Sequence, residues 1–218
     1  MSRADELVPA SGWIDPAVGE EFPELRVVEV TFDAVPGPSP PEVRGQLRHL
    51  SDRFRGAQAV AMRRQPVPHA YRVFFRHVGL DPDEHRTPVE AAAMRRLLEG
   101  HFRSDNLLDD ALVIALVETG VPIWALDASA VRGRLGLRPG RPGERLGRSQ
   151  TAPVLAPARL AVADEESPLA VLFGDLAPGH GVTRATRRMT LFALQVPGVP
   201  AIWVEEALWR CAQLLIDD

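Results

Sequence analysis

The chain contains no lysine and only one cysteine, and none of its apolar runs is long. A single cysteine, Cys211, excludes an intramolecular disulfide and any cysteine-based zinc cage, which fits a reducing compartment. No apolar stretch approaches the length that crosses a bilayer. The start, MSRADELVPASGW, lacks the basic beginning and apolar run of a secretory signal. A cytoplasmic protein with no membrane partner is expected. The sequence also lacks a GxxxxGK[ST] loop and a GxGxxG turn after a strand, so neither route to nucleotide binding has support. The histidines at 49, 69, 77, 85, 101 and 180 show no HExxH or other metal spacing, and no metal or other cofactor is expected. No serine or cysteine has a nucleophile-elbow context.

Every basic residue is an arginine, and the formal net charge of -4 argues against permanent, electrostatically driven binding to nucleic acid. No DNA partner is expected. The mean hides an asymmetry. Arg132, Arg134, Arg138, Arg141, Arg145 and Arg148 crowd one segment, with Glu144 alone opposing them. Two readings are open: a solvated basic loop, or a surface for RNA on which Arg132, Arg134, Arg138 and Arg141 meet phosphate.

What is present has the composition of an ordinary globular protein, long enough to bury a sizeable core. Residues 1–12 read as a frayed lead-in, and residues 13–218 as one domain. Phe22 to Val35 has a strand pattern in which Val28, Val30 and Phe32 share a face. The proline-rich PGPSPP breaks it and leads into a helix from Pro41 to Gly56 on Val43, Leu47, Leu50 and Phe54. A helix from His69 to Gly79 follows. The next has the sharpest boundaries: Thr87, Pro88 and Glu90 form a capped start, Gly100 ends it, and Val89, Ala93, Leu97 and Met94 supply its buried stripe. An apolar helix spans Leu107 to Thr119, and IWALD reads as a short strand. Arg132 to Pro153 reads as a loop or irregular hairpin. Three strand-like runs then follow, VLAPARLAVAD, PLAVLFGD and TRRMTLFALQV. A closing amphipathic helix packs through Ala207, Leu208, Cys211 and Leu215. This order predicts an α+β fold, a mixed β-sheet core with flanking helices.

An ordered set of residues runs through the chain: Gly79, Arg86-Thr87-Pro88, Glu90-Ala91, Arg95-Arg96, Gly100, Asp110, Glu118, Gly120, Pro122 and Asp127. Arg138, Gly143 and Glu144 follow, then LAVADEESPLAVLFGD, Thr183, Thr186 and TLFAL. From about Trp13 onward this set resembles the B3/B4 module of the phenylalanyl-tRNA synthetase β subunit, which hydrolyses wrongly attached amino acids from tRNA. The resemblance implies a free-standing domain of that fold, transient contact with the acceptor end of tRNA, and an amino-acid moiety as ligand. It further implies ester hydrolysis in trans by activated water, without a covalent intermediate. The chain also departs from the family. Val113 stands where synthetases have an asparagine, and Trp124 where they have a histidine. The loop GDLAPGHGVT carries His180 and lacks the family's glutamate. The competing expectation is a non-catalytic module that binds tRNA or an amino acid.

An aminoacyl ester is already reactive, so positioning, oxyanion donors and a base suffice for its hydrolysis. His180, between two glycines, is the candidate base on a flexible loop, or else a plain surface histidine. As a base, its replacement by alanine lowers turnover by more than about tenfold. Trp124, Asp127, Thr183 and Thr186 are candidate substrate-binding residues around it. Trp124 as a core aromatic and the threonines as caps are the plainer alternatives. Glu90 reads as a cap rather than a catalyst, Asp109 and Asp110 as the acidic start of a helix over a catalytic carboxylate pair, and Arg95 and Arg96 as exposed helix arginines over a grip on phosphate or carboxylate.

Overall fold

The computed structural model describes residues 7–216. In chain order its elements begin with β1 (Ala10–Ser11), β2 (Trp13–Ile14), α1 (Pro16–Glu21) and β3 (Arg26–Asp33). Four helices follow, α2 (Pro41–Arg53), α3 (Gly56–Met62), α4 (Pro66–His77) and α5 (Pro88–Glu99). Then come α6 (Leu107–Thr119), β4 (Ile123–Asp127) and β5 (Gly136–Pro139). The chain closes with β6 (Leu160–Ala163), β7 (Pro168–Val171), β8 (Arg188–Gln195) and α7 (Ala201–Ile216).

Alternation along β3 sets the first sheet. Val28, Val30 and Phe32 lie opposite Ala193, Leu191 and Met189 of β8, and all six are buried. β8 is buried on both faces, as expected of a continuous apolar run at the middle of a sheet. The order is β1-β3-β8-β4, antiparallel throughout. One face carries α7, whose Val204, Ala207, Leu208, Cys211, Ala212 and Leu215 form a continuous buried stripe, and α6 packs beside it. Burial there pushes the Cys211 thiol pKa far up, so the thiol stays protonated.

The second sheet, β2-β5-β6-β7, packs beside β3. β2 runs parallel to β5, and the other pairs are antiparallel. The Gly12 N–H donates to the Val27 carbonyl (2.8 Å) and the Leu135 N–H to Glu29 Oε1 (3.2 Å), which tie the two sheets together. Gly136 is required by packing: a Cβ there meets the Trp13 ring at 2.0 Å.

The α+β expectation holds, with the sheet core divided into one antiparallel and one mixed sheet. α5 begins as its sequence signals predict. Glu90 accepts from the Thr87 N–H (3.2 Å) and hydroxyl (3.0 Å), and Gly100 takes a left-handed conformation at the end. Glu90 also pairs with Arg72 at 2.6 Å and Arg63 at 2.9 Å. Its stripe differs from expectation: Val89, Ala92 and Ala93 are buried, whereas Met94 and Leu97 are 37% and 40% exposed.

Four other expectations are corrected. Residues 1–6 of the expected lead-in lie outside the described residues, and Ala10–Ser11 is paired with β3. The arginine-rich segment contributes β5 to the second sheet. α4 starts at Pro66, three residues before the expected His69, because Pro66 occupies a first-turn position where no N–H is needed. α1 and α3 are additional short helices.

Candidate functional site

A cleft of about 470 Å³ opens between α5, α6 and β4. Gly100, at φ +81°, turns the chain out of α5, and Asn106 restarts it by accepting the Asp109 N–H (3.0 Å) at the head of α6. The intervening residues form the rim of the cleft, including His101, Arg103 and Asp105. Leu112, Val113 and Leu116 of α6 make an apolar wall, joined by Ile123 and Trp124 of β4 and by Phe173.

Aromatic packing holds that wall. Trp124 stacks on its cross-strand partner Phe192, with centroids 5.6 Å apart and planes 15° apart. Phe173 lies 6.0 Å from Trp124 and 4.5 Å from Phe75. Its φ of +56° is strained for a bulky side chain, and the contacts with Tyr71, Phe74 and Phe75 compensate. Tyr71 in turn donates its hydroxyl to the Leu194 carbonyl (2.6 Å).

The polar side of the cleft combines locked and free groups. Asp110 is 1% exposed, and its carboxylate accepts from the hydroxyls of Ser39 and Ser104 and from the Asp105 N–H. Those donors compensate its burial and tie the connecting segments to α6. Arg103 pairs with Asp105 at 3.1 Å. Arg95 lines the cleft with no hydrogen bond or ion pair to another described residue. An apolar aromatic wall, the Arg95 guanidinium and the carboxylates of Glu99 and Asp109 therefore line the same cleft.

The expected pocket around Trp124, Asp127, His180, Thr183 and Thr186 is divided. Trp124 and Asp127 are three residues apart on one strand, so they point to opposite faces, and only Trp124 lines the cleft. Asp127 instead closes the ends of β4 and β8. It accepts from the Thr186 hydroxyl (2.5 Å) and from the hydroxyl (2.6 Å) and N–H (2.9 Å) of Ser129. Burial raises its pKa, but these three donors outweigh burial and hold the carboxyl below its ordinary range. Thr186 is 1% exposed and also accepts the Thr183 N–H (3.0 Å). The Thr183 hydroxyl accepts the Ala185 N–H (3.3 Å), so both threonines serve a turn.

His180 is not presented by a flexible loop. It is 6% exposed, and Asp127 N–H donates to its carbonyl (2.9 Å). Nδ1 lies 3.0 Å from the Pro178 carbonyl and Nε2 3.0 Å from Arg148 Nη1. A carbonyl only accepts and a guanidinium only donates, so the proton sits on Nδ1 and the Nε2 lone pair is taken. This ring has no free site for a water.

The arginines also separate. Arg138 is buried, with a two-point pair to Glu144 at 2.7 and 2.5 Å, which removes it from any RNA surface. The Arg148 guanidinium bridges the buried Asp164, Glu166, the Ala130 carbonyl and His180. Arg132 and Arg134 are exposed, with guanidinium bonds to the Ser129 and Ser11 carbonyls. Arg141 is exposed, and its backbone N–H donates to Glu144.

The fold is α+β, and the cleft between α5, α6 and β4 has an amphipathic lining. No group of three metal-ligating side chains occurs among the described residues, and none of the described helices is long and apolar enough to cross a membrane. No protein-family model matches the chain, and no curated protein matches it. Sequence reasoning missed His101 and Phe173 as cleft residues. The left-handed Gly100 just before His101 was legible as a helix end, but which cleft that turn faces depends on α6 and β4.

Proposed function

We propose that this protein hydrolyses the ester of misacylated tRNA in trans, with the amino-acid moiety held in the cleft between α5, α6 and β4. One observation carries the reading. Asp110, Val113 and Trp124, three of the positions that the sequence resemblance aligns with editing-module residues, line the same cleft, whereas Asp127 and His180 lie outside it. Trp124 and Phe173 offer the amino-acid side chain an aromatic surface, and the unpaired Arg95 offers a counter-charge to the ester carbonyl or a phosphate. Val113 and Trp124 make the pocket more apolar than the asparagine and histidine of synthetases would. A large apolar side chain therefore fits it best. Contact with the acceptor end falls to exposed guanidiniums such as Arg132 and Arg141, and salt weakens it.

A specific observation favours a second reading, a module that binds without hydrolysing: His180 and Asp110 are both fully engaged by protein donors and acceptors. A panel of misacylated tRNAs, starting with tyrosine on the phenylalanine acceptor, decides between the two. Release of one amino acid faster than its spontaneous rate supports trans hydrolysis. Folded protein that binds tRNA and leaves the whole panel intact supports the binding module.

A further inference from the structure

The cleft holds an imidazole that the sequence resemblance does not single out. His101 stands directly after the left-handed Gly100, is exposed, and is the histidine among the residues lining the cleft. Its Nδ1 lies 3.1 Å from the carbonyl oxygen of Glu99. That oxygen only accepts, so in the neutral ring Nδ1 carries the proton and Nε2 keeps its lone pair. Nε2 has no hydrogen-bond partner among the described residues. The contrast with His180 is direct: there the same tautomer is enforced, but Arg148 occupies the lone pair.

We propose that His101 is the water-activating base of this cleft, an inference that rests on the aminoacyl-ester reading above. Nε2 accepts a proton from a water while that water's oxygen bonds to the ester carbonyl carbon. The tetrahedral intermediate collapses by breaking the bond between that carbon and the ribose oxygen. The imidazolium returns its proton to the departing ribose oxygen, leaving a free amino acid and an intact tRNA hydroxyl. The Glu99 carbonyl holds the ring tautomer throughout and stabilises the transient positive charge, as a backbone acceptor on Nδ1 does for a histidine base.

The test compares the full-length wild type, His101→Ala and His101→Asn in single-turnover deacylation of the tRNA that the wild type cleaves, across pH. Asparagine retains an N–H for the Glu99 carbonyl and supplies no base. Both variants are expected to lose at least about tenfold in rate, the lower end of a general-base contribution. Both are also expected to lose the wild type's fall in rate on the acid side, while tRNA affinity stays unchanged. Added imidazole is expected to restore part of the rate to His101→Ala. Wild-type rates in both variants, or recovery by asparagine, overturn the role of His101 and leave the aminoacyl-ester reading standing. A wild type that cleaves no member of the panel overturns both.

Discussion

Arg148 Nη1 meets His180 Nε2 at 3.0 Å, and the same guanidinium grips the buried carboxylate of Asp164. The histidine is thereby part of a structural knot joining the 147–149 segment to the end of β4. Cβ space is already tight there, since a side chain at Gly147 would meet the His180 ring at 3.2 Å. His180→Ala removes a buried ring and with it two hydrogen bonds, one from the exposed Arg148 and one to the exposed Pro178 carbonyl. The expected cost is about 1–3 kcal/mol of stability, measured by denaturant unfolding. If turnover falls by more than the loss of folded protein explains, His180 returns to the chemistry.

Asp127 illustrates acid sensitivity with a defined sign. Its carboxyl is held below the ordinary range in the folded chain, so it contributes stability above the unfolded value, and this is lost as pH falls through the folded one. Thr186→Val removes one charged acceptor's donor and is expected to cost about 1.5–3 kcal/mol at neutral pH. The gap between wild-type and variant stability should narrow as the carboxylate is titrated in acid, leaving the cost of the Thr183 N–H that Thr186 no longer accepts. Parallel curves down to the lowest accessible pH would show that Asp127 is not the group responsible.

Glu29 has the opposite sign. Burial between the two sheets raises its pKa, against the opposing pull of the Leu135 N–H and Arg134. A raised folded value favours the protonated form, so its contribution is greatest in acid and declines as pH rises through the folded value. Glu29→Gln keeps an oxygen for the Leu135 N–H and removes the charge. Chemical denaturation of this variant should lose less stability than the wild type between mildly acidic and neutral pH.

The Arg138–Glu144 pair makes a statement about RNA. Arg138→Ala leaves the Glu144 carboxylate half-paired beside β5 and should destabilise the fold by about 3–5 kcal/mol. The Glu144→Gln/Arg138→Met double variant should recover much of that loss. If Arg138 faced phosphate instead, the double variant would lower the salt dependence of tRNA binding by about one charge. Titration over a series of salt concentrations distinguishes these outcomes.

Local rules account for the parts of the fold that were legible. The β-branched alternation of β3, the unbroken apolar run of β8 and the capped start and glycine end of α5 are short-range patterns, and each forms its expected element near its expected place. The closing helix likewise buries Ala207, Leu208, Cys211 and Leu215 because they recur at helical spacing. Two-residue strands such as β1 and β2 have no such signature. They exist because Ser11 meets Val28 and Ile14 meets Leu137 across long stretches of chain. The candidate site was less legible for the same reason. Strand alternation already separates Trp124 from Asp127, but only packing brings Trp124 against Phe173 and α6. Only packing, too, lets Arg148 close His180 across 32 residues while His101, just past a helix end, lines the cleft with a ring nitrogen that has no partner among the described residues. Sequence by itself determined the long helices and the long strands β3 and β8, since those depend on neighbours along the chain. Tertiary structure alone decided which polar groups remain free for chemistry, because a hydrogen bond between distant residues leaves no trace in either local pattern.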